Sequence, residues 1–202
     1  HLPLLLLGTS SVYNSSEMKD HVGEHTLNVM EKAQDYNNWL VSLMRPFIGQ
    51  NILEAGGGTG NFSKILKNFG DITVIDYNLH YVKKLKKDKY NAGFGDIEKG
   101  KYFFTKTKFD TIINLNVLEH IKDDRAVLNN FYKLLEVGGR VILLTPAHQQ
   151  AYSDIDKNLG HFRRYSKEEL ENKFIKAGFI IKYSRYLNPL GLFGWFVSGK
   201  IL

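Results

Sequence analysis

The segment Ile52-Leu53-Glu54-Ala55-Gly56-Gly57-Gly58-Thr59-Gly60-Asn61 constrains this chain more than any other stretch. A short apolar run carries a carboxylate near its end. Four glycines follow within five positions, and helical sequence begins after them. Glycine lets the backbone turn sharply and lets a ligand approach the main chain closely. A helix starting there offers free N–H groups and positive potential to an anion. A nicotinamide or flavin loop needs G-x-G-x-x-G, which requires glycine at position 61, where this chain has Asn61. A phosphate-cradling loop ends in G-K-[ST], and no lysine follows Gly60. What remains is E-x-G-x-G-x-G, built from Glu54, Gly56, Gly58 and Gly60, with Gly57 inside it.

The surrounding pattern alternates. β-Branched and apolar runs fall at 51–55, 72–76, 110–115 and 140–145, with a weaker one near 90–94. Helical patterns fall at about 61–69, 79–88 and 125–136. A last unit pairs a helix at 167–177, capped by Ser166 and stopped by Gly178, with a strand at 179–186. Ahead of the first strand, a helix is expected from Thr26 to Met44, stopped by Pro46. Strand–helix alternation predicts an α/β, doubly wound, mostly parallel sheet with helices on both faces. Thr111-Ile112-Ile113 and Val141-Ile142-Leu143-Leu144 are continuously apolar, as strands buried on both faces should be. Residues 1–25 read as a flexible arm and 26–202 as a single domain, without internal repeats.

Composition narrows the chemistry. The 202 residues include no cysteine, which excludes disulfides, cysteine-held zinc, iron–sulfur clusters and cysteine nucleophiles. That absence fits a reducing compartment, so a cytoplasmic location is expected. Lys plus Arg number 27 against 21 Asp plus Glu, a charge of +6 that permits an anionic partner without requiring one. The run Lys83-Lys84-Leu85-Lys86-Lys87-Asp88-Lys89 has no interleaved aromatic for base stacking. It reads as a solvated helix face, and no nucleic-acid partner is expected.

The glycine motif resembles the first motif of class I S-adenosylmethionine-dependent methyltransferases, and residues 35–186 continue the likeness. Ile72-Thr73-Val74-Ile75-Asp76 is a strand ending in an acid sixteen positions after Gly60. A carboxylate there accepts from ribose hydroxyls, as in dinucleotide sites, with Tyr77 beside it. By the resemblance, Gly95-Asp96-Ile97 offers an acid to the adenine amino group and an apolar side chain to the ring. Asn114-Leu115-Asn116 resembles the exit of the family's fourth strand, which implies a place facing the methionine part of the cofactor. Leu134 to Arg140 matches the family's glycine turn and is architectural. The resemblance therefore implies a Rossmann-like methyltransferase using S-adenosylmethionine. The proline-rich motif of base-amino methyltransferases is missing after Asn114.

Two segments point to the acceptor side. Tyr36 and Trp39 are three apart and share a helix face. Such a pair reads equally as core or as a contact to cofactor or substrate, Tyr36 toward the former and Trp39 toward the latter. Thr145 to Tyr165 follows the last long strand at the carboxyl edge, where open α/β sheets bind ligands. It is rich in titratable groups and has no clear period, and long irregular insertions tend to be functional. A hydroxyl acceptor has to lose its proton, and His161 or His148 is the expected base, since imidazole titrates near neutrality. Asp154 or Asp156 is expected to orient the base. Tyr152, Arg163, Arg164 and Tyr165 are expected substrate contacts, the arginines on a phosphate or carboxylate. Asp156 to Tyr165 and Tyr36-Asn37-x-Trp39 also resemble a methyltransferase subgroup linked to glycosyltransferases and lipid-linked glycan synthesis. The expected activity is thus O-methylation of a small-molecule, glycan-type or lipid-linked acceptor. The alternatives are a non-catalytic cofactor-binding module, or an RNA methyltransferase whose affinity would fall steeply with salt.

Glu119-His120 with Asn116 makes a poor metal set, because adjacent helical residues diverge and asparagine is a weak ligand; no metal is expected. From Tyr186 to Leu202 only Lys200 is charged, and Asn188, Pro189, Gly191, Gly194 and Gly199 interrupt the stretch. The family's seventh strand is not evident there. Truncation of the chain is one reading; a tail lying over the substrate site, or peripherally on a membrane surface, is the other.

Overall fold

A computed structural model describes residues 34–187. The arm expected at 1–25, the first part of the 26–44 helix and the tail beyond 187 lie outside those residues. The described chain opens with α1 (Gln34–Met44), followed by a 3-10 turn at Arg45–Phe47. Then come β1 (Asn51–Ala55), the short α2 (Ser63–Leu66), β2 (Asp71–Asp76), α3 (Leu79–Lys87) and β3 (Asn91–Asp96). The two-residue β4 (Lys101–Tyr102), β5 (Phe109–Leu115), α4 (Asp124–Leu134), β6 (Leu135–Leu144), α5 (Asp154–Leu159) and α6 (Lys167–Lys176) complete it. The six strands run in the order β4-β3-β2-β1-β5-β6, all parallel except the β3–β4 pair.

The side-chain alternation of each strand builds the two layers. Leu53 and Ala55 of β1 and Ile112 of β5 face one core, shared with Val127, Leu128, Phe131 and Leu134 of α4 and Phe174 of α6. Ile52 and Ile113 face the other way, against Val41 of α1 and Leu66 of α2. Val74 of β2 meets Leu85 of α3. Each large apolar side chain so buried contributes about 1.5–3 kcal/mol relative to exposure. Helix starts are fixed locally: Asn78 accepts from His80 N, Asp123 from Ala126 N, and Ser166 from Glu169 N. At the amino edge, Asp110 Oδ2 accepts from Gln50 N (2.8 Å) and Asn51 N (2.9 Å), while Thr111 Oγ1 accepts from Gly49 N. This ties the lead-in of β1 to the start of β5.

The doubly wound, Rossmann-like class expected from the sequence is the one observed. Three local expectations are corrected. Residues 179–187 form no strand: they have no laddered neighbour, and Ile180 and Tyr183 face solvent while Phe179 and Ile181 lean on the core. Val141 to Leu144 are half-buried rather than enclosed, because β6 is the edge of the sheet among the described residues. The stretch 145–165 is not wholly irregular, since it holds α5 and a 3-10 turn at Gln149–Ala151. Among the described residues no helix is long and apolar enough to cross a membrane.

Candidate active site

The strand order reverses around β1, so the carboxyl ends of β1 and β5 mark the switch point at which open α/β sheets take their ligands. The glycine turn stands there. Gly56 N and Gly57 N both donate to Ile75 O, and Gly58 N donates to Asp76 Oδ2 at 2.8 Å. Gly56, Gly58 and Gly60 have φ of 91°, 50° and 88°, backbone that side-chain-bearing residues rarely adopt. Gly57 is glycine for another reason: a Cβ there would lie 2.2 Å from Val74 Cγ1. Beneath the turn, Glu54 is buried and accepts from Ser63 Oγ. Burial pushes its carboxyl up to about 8, opposed by the Ser63 hydrogen bond and aided by the charge of Asp76. Lys84 reaches back from α3 to Thr59 O at 2.6 Å, a link invisible in the sequence because the partners are 25 residues apart.

The acids expected to hold the nucleoside stand along the same edge. Asp76 Oδ1 accepts from Asn78 N at 2.7 Å and Oδ2 from Gly58 N. Burial raises its carboxyl above the usual range, against those backbone hydrogen bonds. Tyr77 is exposed, its ring 5.9 Å from that of Phe94. Asp96 is buried, accepts from Lys99 N and pairs with Lys99 Nζ at 3.5 Å. Gly95 packs under Ile75, and Ile97 belongs to the core. Asn114 is fully buried; its Nδ2 donates to Ala55 O at 2.8 Å, and its Oδ1 has no partner. Leu115 is half-buried, and Asn116 turns the chain with a φ of 53°. Tyr36 and Trp39 meet at 5.7 Å between ring centroids and are exposed, so neither is core.

At the edge expected from the sequence to face the acceptor, the fold assembles a polar cluster. Phe162 N donates to Glu119 O at 2.7 Å, joining the turn after β5 to the loop after α5. This sets the His161 ring 4.7 Å from that of His120, edge to face. His161 Nδ1 lies 2.8 Å from Asp156 Oδ1. Burial alone would raise the Asp156 carboxyl, but hydrogen bonds from Arg164, His161 and Ser153 outweigh it and hold it low. Asp156 is therefore ionised and accepting, which puts the His161 proton on Nδ1 and leaves Nε2 for other work. Burial lowers the affinity of His161 for a second proton, opposed by Asp156. Burial and His161 together press His120 down to about 4. Glu119 is fully buried, its Oε2 accepting from Thr145 Oγ1, its Oε1 unpartnered. Burial lifts its carboxyl to about 8. Asp154, the other expected orienter, pairs with Lys157 in solvent.

Several expected substrate contacts are tied into the framework instead. Tyr165 is 1% exposed and donates its hydroxyl proton to Asp124 Oδ2 at 2.9 Å. Arg163 donates to the same carboxylate and to Lys122 O. Arg164 is buried and donates from Nε to Asp156. The acids that hold these cations lie 8 and 39 positions away, beyond the reach of any local pattern. Tyr152 donates to His161 O at 2.7 Å and braces the loop. His148, with a φ of 64°, stacks on Tyr186 at 4.6 Å.

A family model described as Methyltransferase domain matches residues 25–182. This chain belongs to that methyltransferase family. The methyltransferase is 30% identical over 139 residues to malonyl-[acyl-carrier protein] O-methyltransferase 1 of Ilyobacter polytropus, a match covering 61% of this chain and 52% of that protein. The chain spans about half the length, or less, of the curated relatives it matches. Among solved structures it superposes on a Thermotoga maritima S-adenosylmethionine-dependent methyltransferase described as a possible histamine N-methyltransferase. There the TM-score is 0.65 at 20% identity, over 80% of this chain and 81% of that one. It also superposes on Haemonchus contortus phosphoethanolamine N-methyltransferase 2 in complex with S-adenosyl-L-methionine. The TM-score is 0.64 at 20% identity, over 81% of this chain and 43% of that one. S-Adenosylmethionine is the cofactor of this methyltransferase class.

Proposed function

We propose that this methyltransferase transfers the methyl group of S-adenosylmethionine to an oxygen of a small-molecule acceptor bound at the carboxyl edge of the sheet. The observation that carries the reading is the unpartnered, buried Oδ1 of Asn114, whose amide is tied to Ala55 O at the start of a glycine turn with three positive-φ positions. A buried oxygen without a donor is costly unless a ligand supplies one, and the cofactor's ammonium is such a donor. The residues present fit the cofactor: the turn Gly56, Gly57, Gly58 and Gly60 for its amino-acid end, Asp76 and Tyr77 for the ribose, Gly95, Asp96 and Ile97 for the base. Asn114, Leu115 and Asn116 would flank the methionine part, and Tyr36 and Trp39 would overhang the mouth.

When bound, the cofactor supplies a methyl already activated by its sulfonium, so the protein's task is mainly positioning. Glu54 and Ser63 hold the turn in shape from below. A hydroxyl acceptor must also shed a proton, and the loop carrying His161, oriented by Asp156, is the polar edge equipped for that; His148 is the second candidate. Oxygen as acceptor atom is supported by this imidazole–carboxylate edge and by the acyl-carrier O-methyltransferase among the relatives. The relatives reported above are named for acyl-carrier, amine and phosphoethanolamine substrates, so a glycan acceptor gains no support from them.

Titration calorimetry with S-adenosylhomocysteine tests the cofactor half, and one site per chain is expected. A co-product assay over carboxylate, phenol, quinol, glycan and amine acceptors tests the rest. No heat with the nucleoside ends the reading, and turnover confined to amine acceptors ends its oxygen half.

A further inference from the structure

The turn after β5 and the loop after α5 bring Glu119, His120 and His161 together, with one ligand atom of each lying within 4.8 Å of the others. Sequence alone sets Glu119 and His120 beside Asn116; the third partner comes instead from 41 residues downstream, fixed by the Phe162 N to Glu119 O hydrogen bond. We propose that these three side chains form a binding site for one divalent transition-metal ion of the zinc class, which takes the acceptor oxygen as a further ligand.

Five observations carry this. Glu119 Oε1 is fully buried and has no hydrogen-bond partner, an expensive arrangement unless something positive meets it. Its other oxygen is fixed by Thr145 Oγ1 at 3.1 Å. His161 Nδ1 is held by the Asp156 carboxylate, the outer-shell pattern that turns the opposite imidazole nitrogen toward a metal. His120 is hydrogen-bonded to the Gly160 backbone, which leaves its second nitrogen for an ion, and its exposure opens a path from solvent. Asp156 is in turn clamped by the buried Arg164, so the orienting group is itself rigid.

The donor set selects the metal. Two imidazoles and one carboxylate suit zinc and its neighbours, whereas magnesium and calcium prefer oxygen alone. In a tetrahedral site atoms about 2.1 Å from one ion are about 3.4 Å apart, so a pair at the 4.8 Å limit would close by roughly 1.4 Å. His120, the exposed member of the three, is the side chain placed to make that movement. Three protein ligands leave at least one position for a substrate oxygen. A hydroxyl bound there loses its proton to solvent water more readily, as metal-bound water does. Its oxygen lone pair then forms the new O–CH₃ bond, while the electrons of the broken C–S bond stay on sulfur. On this arrangement His161 acts as a ligand, and the ion takes over the task of a general base. The ion site stands independently of the methyl-transfer reading; only the role given to the ion rests on it.

The test uses the full chain after dialysis against EDTA. Calorimetry with ZnCl₂ should show one ion per chain with micromolar or tighter affinity, and CoCl₂ should give visible d–d absorption. Glu119→Gln, His120→Ala and His161→Gln should each weaken zinc binding at least a hundredfold, while His80→Ala leaves it unchanged. Asp156→Asn should weaken it about ten- to hundredfold through His161. Melting curves and S-adenosylhomocysteine binding of each variant show whether it is folded, and the wild-type cobalt spectrum needs no variant. Absence of zinc binding with intact nucleoside binding overturns the site and spares the methyltransferase reading. Zinc binding without nucleoside binding does the reverse. Zinc binding that survives both His120→Ala and Glu119→Gln overturns the site.

Discussion

Replacing Glu54 by glutamine isolates the energetics of the floor of the glycine turn. Glu54 is enclosed, and burial lifts its carboxyl from 4.5 to about 8. Between those values the folded chain keeps a proton that the unfolded chain has released, so stability falls as pH rises. While one proton separates the two states the slope is about 1.4 kcal/mol per pH unit, or about 3 kcal/mol between pH 5.5 and 7.5. Glutamine at this position has nearly the same shape as the protonated carboxyl and no proton to lose. Urea denaturation of wild type and Glu54→Gln at pH 5.5, 6.5 and 7.5 measures the gap between them. The variant should gain on the wild type by about 3 kcal/mol across that interval. Glu119, raised in the same way, contributes equally to both proteins and cancels. Asp76 and Tyr90 feel the Glu54 charge and shift the midpoint of the effect, not its direction. A gap that stays constant with pH would refute the claim that burial keeps this carboxyl neutral.

Three further outcomes follow from the geometry. Asp76→Asn should weaken S-adenosylhomocysteine binding at least tenfold by calorimetry, because a carboxylate oxygen facing donors becomes an amide N–H facing them. Gly57→Ala should destabilise the chain and abolish nucleoside binding, since its Cβ would lie 2.2 Å from Val74 Cγ1; adding Val74→Ala should restore part of both, and a double-mutant cycle reads the coupling. Tyr165→Phe should cost about 1 kcal/mol in denaturant midpoint analysis through loss of the hydroxyl bond to Asp124, and should leave nucleoside affinity unchanged.

What the sequence discloses here is whatever lies within one supersecondary unit. The glycine turn, the acid ending β2, the Ser166 cap and the Gly178 stop are each set by neighbours within a few residues, so spacing alone exposes them. Strand identity was legible for β2 and β5 because β-branched runs mark strands covered on both faces, and for β1 because its short apolar stretch leads straight into the glycine turn. It failed at 179–187, where an apolar and aromatic run has the composition of a strand but no adjacent ladder. The acceptor side was half legible. The histidines and aspartates of 145–165 stood out, but which of them meet depended on contacts across the fold. Arg163 pairs with Asp124 across 39 positions, and His161 meets His120 across a gap that no local periodicity encodes. Charge patterns suggested a substrate anion for the two arginines, whereas the fold pairs them with its own carboxylates.

The Asp110 staple at the amino edge separates two duties that a single rim would have to share. With the backbone entering β1 gripped by the carboxylate that opens β5, the central strands have a hold on their alignment at the end remote from the glycine turn. The loops beyond the carboxyl ends then carry less of the work of holding the sheet together. They are free to be recut, lengthened or repacked around new acceptors while the register beneath them stays put.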